Sequence, residues 1–169
     1  MKLLKEICND PHIKCDSYKV RKAARAIVIN TKNEIAILNV TNHTYYKIAG
    51  GGIEFGEDIE KALRREVMEE VGAEIEILDE LGLIIEWKNS HQTQQISYCF
   101  VAKTKGEIGK PQFTEKELQD GFAIEWHSLE KAIKLLENSS PQGNENVEYT
   151  GKYMVERDLT FLLEYKTKM

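Results

Sequence analysis

Apolar and polar positions alternate along much of the chain in ways that separate strands from helices. From Tyr18 to Val40 the pattern predicts a hairpin. Ala24–Ile29 and Glu34–Leu38 are short runs rich in small and β-branched residues, and Asn30-Thr31-Lys32-Asn33 between them has turn chemistry. Tyr45–Ala49 predicts another short strand, ending at Gly50-Gly51-Gly52. From Asp58 to Val71 the period changes: Ile59, Leu63, Val67 and Val71 recur every fourth residue, with Asp58 as N-cap and Gly72 as stop. Two longer strands, Glu74–Trp87 and Gln94–Ala102, flank a polar stretch. Gly106–Asp120 reads as a loop with room for one short helical turn. Phe122–Trp126 predicts a strand, and Ser128 caps a helix to Glu137 whose apolar face is Leu129, Ala132, Ile133 and Leu136. Ser139–Glu145 is a loop. A last helix is predicted over Tyr149–Tyr165, with Met154, Leu159 and Leu162 or Leu163 inward. Strands with interspersed helices and no repeat predict one α/β sandwich domain over residues 18–169, behind an N-terminal segment of residues 1–17.

The 169 residues suffice for one core, and 41% apolar with 30% charged residues is an ordinary globular composition. A net charge of −5 argues against binding a nucleic acid polymer, which relies on many basic phosphate contacts. It leaves small phosphorylated ligands open, because a bound metal supplies positive charge locally. No apolar run approaches the roughly 20 residues that cross a bilayer, and the N-terminus lacks the core of a signal peptide, so no membrane association is expected. Cys8, Cys15 and Cys99 form a sparse, odd set, as reduced thiols do in the cytoplasm. Cys8, His12 and Cys15 lack the second ligand pair a zinc site needs.

One stretch dominates the chemistry. Gly51-Gly52-Ile53 opens through Phe55-Gly56-Glu57 into the helix that carries Arg65, Glu66, Glu69 and Glu70. Glu66, Glu69 and Glu70 stand at i, i+3 and i+4, on one side of that helix beside the apolar stripe. Clustered carboxylates repel one another. A solvated acidic face relieves that by exposure, and a hard divalent cation relieves it by coordination, since Mg²⁺ takes oxygen ligands from a few carboxylates and phosphates. Arg65 beside them can clamp a carboxylate in a bidentate pair.

This segment resembles the Nudix box, G-x5-E-x7-R-E-U-x-E-E-x-G-U, where U is a bulky aliphatic residue. Gly51, Glu57, Arg65, Glu66, Val67, Glu69, Glu70 and Gly72 fall on it in register. Two positions depart: Ala73 is small for the final U, and Ile48-Ala49 precede Gly50-Gly51 where relatives often have a proline. Beyond the box, the order of elements and the ending from Phe113-Thr114-Glu115 to Trp126-His127-Ser128 are similar to a whole Nudix domain.

The resemblance implies an α/β/α sandwich with a mixed sheet and Mg²⁺ (or Mn²⁺) held by Glu66, Glu69, Glu70 and the carbonyl of Gly50 or Gly51. Glu57 and Arg65 would brace the loop and helix. Water would attack phosphorus in a nucleoside diphosphate linked to another group. The implied general base is Glu66 within the box, or Glu115 or Glu117 from the later loop, with Glu115 placed first. Phe55, Trp87, Tyr98 and Phe122 are candidates to stack on a base. No proline lies between Gly72 and Lys110, Tyr98 is distant from the box, and no coenzyme A motif occurs. These absences favour a nucleoside triphosphate pyrophosphohydrolase of the MutT type over hydrolases of ADP-ribose, nucleotide sugars or dinucleoside polyphosphates. A non-catalytic nucleotide-sensing module is the reading of another class, but its box carboxylates would be eroded and these are intact. Many relatives dimerise, which leaves a homodimer open.

Overall fold

The computed structural model describes residues 1–169. Seven strands form one mixed sheet in the order β1-β5-β6-β2-β4-β3-β7. They are β1 (Leu3–Ile7), β2 (Lys19–Ile29), β3 (Ile35–Val40), β4 (Tyr45–Gly52), β5 (Glu74–Lys88), β6 (Thr93–Lys105) and β7 (Phe122–His127). The helices are α1 (Ile59–Val71), α2 (Glu115–Gln119), α3 (Leu129–Glu137) and α4 (Glu145–Lys168). No helix is long and apolar enough to cross a membrane.

Side chains alternate across β2, so its two faces feed two separate cores. Ala24, Ala26 and Val28, with Ala36 of β3 and Ala49 of β4, pack under Leu63, Val67 and Val71 of α1. Small residues on the sheet let α1 lie close, and packing at interior density depends on that match. On the opposite face Ile27, Ile37, Ile48 and Ile84 meet Ile133 and Leu136 of α3 and Tyr153, Phe161 and Leu162 of α4. Helices on both faces of a mixed sheet make the α/β/α sandwich expected from the sequence.

The predicted hairpin is replaced by a three-strand arrangement. β2 and β3 pair only at Ile29 and Ile35, and β4 lies between them for the rest of their length. The reason lies in the glycines: β4 continues through Gly50-Gly51-Gly52, which pair with Arg25, Ala24 and Ala23 of β2. A side chain at Gly50 would overlap the Ala24 carbonyl, and its φ of 127° lies where side chains are strained. The turn of helix anticipated before Asp120 is α2, closed by a capping box between Thr114 and Glu117. Helix α4 starts earlier than expected, at the Asn144 cap. Leu162 is buried and Leu159 packs on the core as expected, whereas Met154 is half-buried and Leu163 exposed, and the helix also buries the unanticipated Tyr153, Arg157 and Asp158.

The N-terminal segment joins the same sheet. β1 runs parallel to β5 along its edge, and Ile7 is buried in the α4-side core. Beyond it the buried Asp10 carboxylate accepts hydrogen bonds from Ser90 N (2.8 Å), Ser90 Oγ (2.6 Å), Tyr149 Oη (2.8 Å) and Tyr153 Oη (3.0 Å). Burial opposes ionisation of Asp10, but these donors outweigh it and hold the carboxyl well below the usual carboxylate range. The clamp fixes the β5–β6 turn to α4. Asp10→Ala is expected to cost about 3 kcal/mol, because it leaves several donors without an acceptor. Urea unfolding measures this, and an unshifted midpoint would show that the clamp does not hold the segment.

Candidate active site

The Asp58 side chain caps α1, accepting from Glu60 N at 2.9 Å, and Gly72 ends the helix with φ 74°. Between these caps the helix carries its acidic residues toward the glycine end of β4. Glu70 is buried, and its two oxygens accept from Lys47 Nζ and Gly50 N, each at 2.6 Å. Burial pushes the Glu70 carboxyl up from its ordinary value, and the Lys47 ammonium and the Gly50 N–H pull against that shift. The Glu66 carboxylate rests against Gly51, so closely that a side chain on that glycine would overlap it. Glu69 is more open, with 44% of its side chain exposed.

Arg65 ties this corner together. Its Nε and Nη2 donate to the two oxygens of Glu57, both at 3.0 Å, a planar fork matched to a carboxylate. Nη2 also reaches the Gly52 carbonyl at 3.0 Å, and Nη1 reaches Glu66 at 2.8 Å and Glu69 at 3.3 Å. The Arg65 fork and the Glu54 N–H bring the Glu57 carboxyl down to about 2. Glu57 therefore stays ionised at neutral and mildly acidic pH, and Arg65 remains locked.

A cavity of about 540 Å³ opens over Gly50, Gly51 and Gly52 and contains Glu66 and Glu70. Its walls are polar: Arg21 and Arg25 of β2, Lys47 of β4, Lys88 of β5, Thr93 and Gln95 of β6, Lys116 and Glu117 of α2, and Arg157 of α4, with Met154 the one apolar side chain. Arg25 donates through Nη1 to the Gly50 carbonyl. Of the two loop glutamates, Glu117 lines the cavity and Glu115 is exposed outside it. Glu117 accepts from Thr114 N at 2.8 Å and Thr114 Oγ1 at 2.9 Å.

The aromatic candidates lie away from the cavity walls. Phe55 is fully exposed. Trp87 donates to Glu6 at 2.7 Å and meets the edge of Tyr18, and Tyr98 packs against the α1-side core. Phe122 contacts Phe113 edge-on and lies 5.1 Å from Lys47 Nζ, behind the Lys47–Glu70 pair. The cationic walls were not singled out in the sequence. Arg25 carried a readable sign, since a charge inside the apolar run Ala23–Ile29 is rarely buried without a partner. Lys88 and Arg157 carried none, because both sit in polar stretches that resemble solvated surface.

No three His, Cys, Asp or Glu side chains converge on one point in this arrangement. The donor set nevertheless suits a hard cation. Glu66 and Glu70 meet adjacent residues of one backbone stretch, all the donors are oxygens, and the two carboxylates pair with Arg65 and Lys47.

Comparisons with known proteins agree with this fold. The MutT protein of Methanosarcina mazei superimposes with a TM-score of 0.53 at 17% identity, covering 85% of this chain and 98% of that one. A UDP-X diphosphatase gives 0.55 at 15% identity, over 94% of this chain and 68% of that one. An ADP-ribose pyrophosphatase of Streptococcus suis gives 0.54 at 17% identity, over 86% and 91%. At these identities the likeness is one of fold. No curated protein matches the sequence. The NUDIX domain model matches residues 19–148, most of the chain and the whole of the glycine–helix corner. The chain thus belongs to the Nudix family and is a hydrolase acting on pyrophosphate bonds.

Proposed function

We propose that this hydrolase is a Mg²⁺-dependent nucleoside triphosphate pyrophosphohydrolase, releasing a nucleoside monophosphate and pyrophosphate. The observation that carries the reading is the meeting of Glu66 and Glu70 with the Gly50–Gly51 backbone at one wall of a polar, cation-rich cavity. Glu66, Glu69, Glu70 and the Gly50 carbonyl would hold the ion. Bound there, it would neutralise charge on the phosphate oxygens and ease deprotonation of the attacking water.

The chain's own groups do the positioning. Arg65, locked by Glu57, orients Glu66 and Glu69. Lys47, beside Glu70, can turn toward a phosphate oxygen once a cation takes over the carboxylate's charge. Glu117, steadied by Thr114, is the loop glutamate placed to take the proton of the attacking water, and Glu66 is the alternative within α1. The three free cysteines fit a cytoplasmic setting.

A phosphate-release assay with Mg²⁺ tests the reading across nucleoside triphosphates, ADP-ribose, nucleotide sugars and dinucleoside polyphosphates, with and without added pyrophosphatase. Phosphate that appears from a triphosphate only when pyrophosphatase is present is the expected result. Turnover confined to ADP-ribose or a nucleotide sugar would keep the chemistry and overturn the substrate.

A further inference from the structure

Under α4 the cavity continues into a second group of charges that the bond-breaking step does not use. Arg25, Lys88 and Arg157 are buried there, and Arg21 stands at the mouth. Two carboxylates form ion pairs with this group: Glu86, 3.3 Å from Arg157 Nη1 and 3.2 Å from Lys88 Nζ, and Asp158, 2.7 Å from Arg157 Nε. Within the group, four cations against two carboxylates leave an excess of two positive charges. Glu70 and Glu66 lie across the glycines of β4, where they pair with Lys47 and Arg65.

Two donors also lack partners. Arg157 Nη2 and Arg25 Nε make no hydrogen bond, although Arg157 is 0% exposed and lines the cavity. Buried unpaired charge with unmet donors is costly, and an anion offering several acceptor oxygens removes both faults at once. No Phe, Tyr or Trp lines the space.

The two sets of charges are near neighbours. A side chain on Gly51 would meet Glu66, and one on Gly52 would meet the Arg21 guanidinium at 3.1 Å. Two consecutive glycines of β4 therefore separate the acidic corner from the cationic arm.

We propose that the cationic arm built by Arg21, Arg25, Lys88 and Arg157 is the subsite for the terminal phosphoryl group of the substrate. The inference rests on the pyrophosphohydrolase reading and extends it: the phosphate chain leads into the cavity and the nucleoside stays toward solvent. A terminal phosphate brings about two negative charges and three acceptor oxygens, which matches the excess charge and the free donors. ADP-ribose or a nucleotide sugar would place an uncharged sugar there and leave both faults uncorrected.

The test is calorimetric titration of inorganic pyrophosphate into the full chain in excess EDTA, so that binding does not pass through a metal. Wild type is expected to bind, and Arg21→Gln to bind about tenfold more weakly, the loss of one charge-assisted contact. Arg21 is exposed, so this variant is expected to fold, and circular dichroism checks it. A triphosphate should displace the pyrophosphate better than ribose 5-phosphate or ADP-ribose does. No binding by wild type, equal binding by Arg21→Gln, or stronger displacement by ribose 5-phosphate or ADP-ribose would each overturn the assignment. Failure of hydrolysis with pyrophosphate binding intact would instead count against the pyrophosphohydrolase reading alone.

Discussion

Glu66→Gln is expected to lose about a thousandfold in turnover, the several kcal/mol that a properly held cation contributes to a phosphoryl transition state. Its melting temperature should stay near that of wild type. Glu66 is only partly buried, and Arg65 keeps its bidentate hold on Glu57 and its bond to the Gly52 carbonyl when Glu66 is neutralised. Glu70→Gln should lose activity as severely, with a different cost to folding. Glu70 forms a buried ion pair with Lys47, and removing one partner of such a pair costs about 3 kcal/mol or more. For a chain of this length that lowers the melting temperature by roughly 6–12 °C. Steady-state kinetics and a thermal melt on both variants separate the two roles. Substantial turnover in either variant at saturating Mg²⁺ would remove that residue from the set that holds the ion.

Gly51→Ala is expected to cut turnover by about a hundredfold while leaving the fold standing. Its φ is not in the left-handed region, so the backbone accepts a side chain. The added methyl overlaps only the Glu66 carboxylate, the far end of a flexible side chain, which can swing away. A displacement on the order of 1 Å in a positioned catalytic group carries a rate loss of that size. Gly50→Ala is the contrast, since there the methyl meets the Ala24 carbonyl, which is backbone and cannot yield. That variant should unfold at much lower temperature. Unchanged activity in Gly51→Ala would show that the position of Glu66 against β4 is immaterial to the reaction.

Periodicity and caps made most of the architecture legible. Asp58 and Gly72 bound α1 as the sequence indicated, because a capping carboxylate and a left-handed glycine act through local geometry alone. The insertion of β4 between β2 and β3 was hidden. A turn at Asn30-Thr31-Lys32-Asn33 says that the chain reverses, and says nothing about a later strand separating its two arms. The edge strand β1 was hidden for a related reason. Its residues are half exposed, and their register depends on β5, some eighty positions away.

The acidic corner was legible because Glu66, Glu69, Glu70, Arg65 and Glu57 lie within one short stretch with fixed spacing. The cationic arm was not, because Arg21 and Arg25 come from β2, Lys88 from β5 and Arg157 from α4, and only the closed sheet brings them under α4. The aromatic residues were visible in the sequence, but their placement was not. Trp87 and Tyr98 have the chemistry to stack on a base, yet strand alternation turns them to other partners: Trp87 to Glu6 and Tyr18, and Tyr98 to the α1-side core.

Equilibrium Mn²⁺ binding, followed by electron paramagnetic resonance without substrate and compared between wild type and Glu66→Gln, tests the central claim that the helix carboxylates hold the catalytic cation. Binding by wild type that weakens sharply in Glu66→Gln, in step with the loss of turnover, is the expected result. Equal binding by the two proteins, or full turnover in a variant that no longer binds Mn²⁺, would contradict it.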